Sequence, residues 1–108
     1  MVEGFWTVQT KGPEGTGGAV AMLIGGKIFG GDNGFCFLGT YYSDDVSMKA
    51  RVTVQNFDRA VPSIFGLTGN YELEVSATLK GDSMTGTAML ANQPTKSIGI
   101  RLDRKAPL

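Results

Sequence analysis

Val46-Ser47-Met48-Lys49-Ala50-Arg51-Val52-Thr53-Val54-Gln55 places an apolar residue at each even position and a polar one at each odd position. Side chains of a strand alternate between two faces, so this run reads as a strand with one face in a core and one in water. The stretch 71–80 repeats the pattern. Tyr71, Leu73, Val75, Ala77 and Leu79 point one way; Glu72, Glu74, Ser76, Thr78 and Lys80 point the other. A helix needs apolar residues at a spacing of about 3.6, and no stretch of the chain has it.

Working outward, shorter strands fit residues 4–10, 18–24, 27–31, 35–42, 83–91 and 97–103. Gly25-Gly26 is a two-residue hairpin signal. Asn33-Gly34 favours the positive φ of a primed turn. Lys80-Gly81-Asp82 and Asn92-Gln93-Pro94-Thr95 mark two further turns. Residues 60–68 lose the alternation and contain Pro62, which predicts a loop with at most one short helical turn near 60–66. None of these connections is long enough for a parallel crossover, which takes a dozen or more residues. The expected fold is therefore all-β: an eight-stranded antiparallel up-and-down barrel spanning residues 1–108 as a single domain. Closure removes the two open edges that a flat meander would expose. A sandwich is the alternative. Sixteen glycines suit the tight corners and kinks of a closed sheet.

Composition narrows the chemistry. The chain has no His, which excludes His-based triads and His metal sites and points away from an enzyme. A single Cys excludes an internal disulfide and any cysteine-cluster metal site. No cofactor or metal is expected. Ten basic residues balance ten acidic ones, so the total charge carries no nucleic-acid footprint. The basic tail (Arg101, Arg104, Lys105) reads as a solvated surface. The first ten residues lack the basic and apolar regions of a signal peptide. The apolar run 19–24 is far short of the ~20 residues that span a bilayer. A cytoplasmic location is the expectation.

The two halves differ. Residues 19–24 and 35–38 are apolar on both faces. Outward apolar side chains on these strands would form a patch of the kind that marks an interface. Self-association is expected through Val20, Met22, Ile24, Phe35 and Phe37, although Ala19, Ala21 and Leu23 are the other choice for the outward face. Cys36 reads as a small buried or interfacial hydrophobe. Inside, Trp6, Met48, Val52, Tyr71 and Leu73 are candidates to line a cavity for a lipid or other small hydrophobic molecule. Trp6 could instead close the barrel floor. Glu72 and Glu74 are placed to pair with Lys49 and Arg51 across strands. Ser43-Asp44-Asp45 is an acidic turn able to engage basic groups of another protein. The glycine-rich stretch 12–18 lacks the Lys-Ser/Thr of a phosphate-binding loop and reads as a flexible loop.

Several ordered blocks carry a resemblance. They are Gly4-Phe5-Trp6-Thr7-Val8, Gly17-Gly18-Ala19-Val20, Gly25-Gly26-Lys27-Ile28-Phe29-Gly30-Gly31-Asp32, Gly39-Thr40-Tyr41-Tyr42, Val61-Pro62-Ser63-Ile64 and Asn70-Tyr71-Glu72-Leu73. Together they resemble the GrlR-like family, small negative regulators of type III secretion gene expression. The resemblance implies a lipocalin-like barrel, a homodimer, and sequestration of a helix-turn-helix transcriptional activator through an exposed acidic run. The matching positions here are Ser43-Asp44-Asp45-Val46, with two acids among the four. Val46 also opens the alternating strand and is expected to face inward.

Overall fold

The alternating runs become strands of one closed sheet. The computed structural model describes residues 2–13, 15–67 and 69–108. The strands are β1 (Gly4–Gly12), β2 (Gly15–Ile24), β3 (Lys27–Gly31), β4 (Phe35–Ser43), β5 (Ser47–Asn56), β6 (Tyr71–Lys80), β7 (Ser83–Leu90) and β8 (Gln93–Ala106). Each pairs antiparallel with the next, and β8 closes on β1. The all-β, eight-stranded up-and-down barrel is thus the fold. No helix among the described residues is long and apolar enough to cross a membrane.

Register decides which face each residue takes. Val54 opposes Tyr71, Val52 opposes Leu73 and Met48 opposes Ala77, so the clean alternations of β5 and β6 share one buried face. Phe37 opposes Val54, which turns Phe37 inward as well. The main core joins Trp6, Leu23, Met48, Val54, Met84 and Leu102, all nearly inaccessible to solvent. Gly86 also points inward, where a Cβ would collide with the Ser76 carbonyl oxygen of β6. Only a residue without a side chain lets the strands approach this closely.

The two ends differ. At the end holding both termini, Trp6 is fully buried and its indole N–H donates to the Val2 carbonyl at 2.8 Å. Arg104 lies over the Trp6 ring, 5.1 Å from its centroid, and donates to the Glu3 carbonyl and to Asp82 Oδ1. Trp6 therefore closes the floor. At the other end the connection between β5 and β6 folds back over the opening. Phe65 packs on Ala88, Leu90 and Ile98 as a second buried cluster. Among the described residues its regular structure is two hydrogen-bonded turns, Val61 N–H to the Asp58 carbonyl and Gly66 N–H to the Ser63 carbonyl.

Several local expectations are corrected. Asn33-Gly34 forms no primed turn; the Asp32 carboxylate instead accepts the Gly34 and Phe35 N–H groups at 2.9 and 3.0 Å. This turn satisfies those donors without a positive φ. Most of the glycine-rich stretch 12–18 lies in strands, because β1 and β2 remain paired through Lys11↔Thr16 and Gly12↔Gly15. A backbone ladder needs no side chains. Strand β8 begins at Gln93, so the β7–β8 turn is Ala91-Asn92 alone. Val46 is 63% exposed, because the hairpin turn ends after it and β5 begins at Ser47.

Candidate functional site

The outer surface carries the sharpest asymmetry. On β5 and β6 the outward residues are polar. Arg51 reaches Glu74 at 3.0 Å and Glu72 at 3.6 Å, and Lys49 donates to Ser76 Oγ at 3.4 Å rather than to a carboxylate. Such exposed pairs contribute about 0–1 kcal/mol each. On β1 to β4 an apolar row runs among outward residues that elsewhere include Thr7, Gln9, Lys11, Lys27 and Thr40. Phe5 opposes Met22, Met22 opposes Phe29, and Phe29 opposes Leu38. Directly opposed residues share a face, so these four form one row across four strands, about 14 Å wide at the usual strand spacing. Phe29 is 48% exposed and Leu38 41%. Val20 and Ile24 flank the row and are exposed to a similar degree.

The expected interface is therefore half relocated. Val20, Met22 and Ile24 do face outward. Phe35 and Phe37 do not: Phe35 is buried and Phe37 packs against the main core. Their strand is apolar on both faces, so its phase is invisible without the register. The outward positions are Cys36 and Leu38, and Phe29 from β3 joins them. The signal for Phe29 was its place in 27–31, where Ile28 takes the inward face and leaves Phe29 out.

The acidic turn is built differently from a free docking loop. Asp44 Oδ1 accepts from the Val46 N–H at 2.9 Å, the Ser47 N–H at 2.8 Å and the Ser47 hydroxyl at 3.2 Å. Asp44 N–H in turn donates to the Ser47 carbonyl. These backbone bonds hold its carboxyl below the ordinary carboxylate range. Asp44 is thus a turn former, whereas Asp45 has no hydrogen-bond partner among the described residues. The sign of the consequence is fixed: the stabilisation is present in full above the unfolded carboxyl pKa and is lost as pH falls through the lower folded value. Asp44→Ala is expected to lower Tm at pH 7, with the gap to the wild type narrowing as pH falls below the ordinary carboxylate range. A gap independent of pH in thermal melts would contradict this assignment.

The barrel interior holds a cavity of about 100 Å³, apolar except for Thr10, with Leu23, Phe37, Met48, Val52 and Leu73 in its wall. A second cavity of about 380 Å³ lies at the mouth, lined by Asp32, Phe35, Ser63, Ile64 and Tyr71 among others. The two share Thr10, Phe37, Leu73 and Ile98. Of the expected lining residues, Met48, Val52 and Leu73 reach the inner cavity and Tyr71 the mouth; Trp6 lines neither and plugs the floor. Ser63 is buried, donates its hydroxyl to Tyr71 Oη at 3.1 Å and accepts the Phe65 N–H at 2.9 Å. Burial raises the Tyr71 phenol above its usual range, against the Ser63 bond. Tyr71→Phe strands the Ser63 donor and is expected to cost about 1–2 kcal/mol. It should also speed amide exchange at Phe65, and unchanged exchange there would show that this bond does not hold the strap.

Among the described residues no three His, Cys, Asp or Glu side chains gather closely enough to hold a metal ion. The basic tail is largely paired: Arg101 with Asp103, and Arg104 with Asp82, each at 3.0 Å. Compared with known families and with curated proteins, the sequence matches none.

Proposed function

We propose that this barrel is a non-enzymatic regulatory protein that acts by contact, as a homodimer that captures a partner such as a helix-turn-helix transcriptional activator. The observation that carries the reading is the Phe5–Met22–Phe29–Leu38 row, a continuous apolar stripe flanked by exposed Val20 and Ile24. Exposed stripes of this kind are covered in working proteins. The resemblance to GrlR-like regulators supports the same reading, and the cytoplasmic location expected from the sequence fits it. In the acidic turn the contact charge would rest on Asp45, with Ser43 beside it and Asp44 shaping the loop. The test is affinity purification from the native host, with intact-mass analysis of what emerges. A stoichiometric helix-turn-helix protein, lost with Asp45→Lys, supports the reading. A bare monomer, a bare dimer or a small-molecule mass alone overturns it.

A second reading has its own observation. The inner cavity is almost wholly apolar and shares Thr10, Phe37, Leu73 and Ile98 with the wall of the mouth cavity, a setting suited to a small hydrophobic ligand. In this reading the chain is a lipocalin-like carrier. Native mass spectrometry of freshly purified protein would then show an added small-molecule mass, and consistently bare protein would count against it.

A further inference from the structure

The barrel wall has a gap beside β2. Strand β2 pairs with β1 along its whole length, from Gly4↔Leu23 to Gly12↔Gly15. It pairs with β3 only from Val20↔Gly31 to Ile24↔Lys27. The reason is local: the Asp32 turn ends β3 after Gly31. Residues 15–19 therefore have no strand on their second side.

The direction of the backbone groups follows from one bond. Asp32 N–H donates to the Phe35 carbonyl, so even residues of β3 address β4 and odd residues address β2. Gly31 and Phe29 thus bond to Val20 and Met22. By the same alternation, Thr16 and Gly18 direct their N–H and C=O groups into the gap, while Gly17 and Ala19 bond to β1. Thr16 and Gly18 have no backbone partner there among the described residues.

Open strand edges are normally guarded by charge, proline or bulges. Another open edge, residues 93–98 of β8, carries Pro94 and Lys96. The β2 edge reads Gly15-Thr16-Gly17-Gly18-Ala19 and carries none of these guards. A Cβ at Gly18 would meet nothing within 4 Å. The mouth cavity runs along this same edge, with Gly17, Gly18 and Ala19 on one side and Asp32, Pro62 and Ile64 on the other.

We infer that residues 15–19 of β2 take an extended segment of a partner protein as an added strand. Main-chain bonds to Thr16 and Gly18 supply affinity. Alternate side chains of the segment point into the mouth, so an apolar residue is favoured against Phe35 and Ile64, and an acidic one is disfavoured beside Asp32. The inference rests on the reading that this chain works by protein contact and names how the contact is made.

The test pans short linear displayed peptides on the intact protein. Enriched peptides are synthesised and titrated against wild type, Gly18→Pro, Gly18→Ala and Phe29→Asp. Gly18→Pro removes an edge donor without touching the ladder to β1, whereas Gly18→Ala keeps that donor and adds a methyl group in open space. The expected result is about tenfold or greater loss with Gly18→Pro, little change with Gly18→Ala, and slowed amide exchange at Thr16 and Gly18 on binding. Binding unaffected by Gly18→Pro but abolished by Phe29→Asp overturns the edge site and leaves the protein-contact reading intact. No enrichment, or Thr16 and Gly18 amides already as slow as Gly17 and Ala19 in the free protein, also overturns it. The contact reading itself fails if the native-host purification yields the protein without a protein partner, bare or with only a small-molecule mass.

Discussion

Trp6→Ala is expected to destabilise the barrel by about 3–5 kcal/mol, the range for emptying a fully buried large aromatic site. For a domain of this size that is a fall in Tm of about 15 °C or more. The magnitude follows from what Trp6 touches. Its ring has no accessible surface, its N–H is satisfied by the Val2 carbonyl, and Arg104 covers one face. Alanine removes the floor that holds the N-terminal segment against β8 and leaves a cavity open to water. Trp6→Phe keeps an aromatic ring but strands the Val2 carbonyl, and should cost roughly 1–2 kcal/mol. Thermal and denaturant melts followed by circular dichroism separate these values. Tyr42→Ala serves as the exposed control, since Tyr42 is 72% accessible. Equal, small shifts for Trp6→Ala and Tyr42→Ala would show that the floor is not where the barrel is held.

The fold was legible because β5 and β6 alternate without exception and most other connections are short. Gly25-Gly26 forms the expected hairpin with both residues at positive φ, 57° and 81°. Legibility failed where both faces of a strand are apolar. Phe35-Cys36-Phe37-Leu38 has no internal phase, and only pairing with Val54 and Asn56 sets Phe35 and Phe37 inward. It failed again at Asp32-Asn33-Gly34, where a side-chain carboxylate outcompeted the glycine for control of the turn. That same turn shortens β3, so the gap beside β2 comes from a competition between local hydrogen bonds that strand propensity does not weigh. A comparison of strand lengths, seven residues expected in β2 against five in β3, was the available hint. The Asp44 turn misled for a related reason. A carboxylate in an acidic run reads as surface charge, yet here three local donors consume it.

Phe29→Asp is expected to convert a dimer into a monomer without unfolding the chain. Phe29 is one of the two inner members of the apolar row, with Met22 on one side and Leu38 on the other. A buried aromatic at the centre of an interface contributes about 2 kcal/mol or more, so its loss alone weakens association roughly thirtyfold. The aspartate adds the cost of placing an unpaired charge in a desolvated patch, so the combined effect should exceed about a hundredfold. The fold should tolerate the change, because Phe29 is 48% exposed and contributes no side chain to either buried cluster. Sedimentation velocity over a concentration series measures both arms. Wild type should sediment as a dimer at micromolar concentrations and Phe29→Asp as a monomer with an unchanged circular dichroism spectrum. Thr78→Asp, on the polar exterior of β6, should remain dimeric, which separates a patch effect from a general effect of added negative charge. A wild-type monomer across the series, or a dimer indifferent to Phe29→Asp, would remove the apolar row from the interface. The second outcome would still leave the unguarded β2 edge as a route to self-pairing, and Gly18→Pro would then be the variant that breaks the dimer.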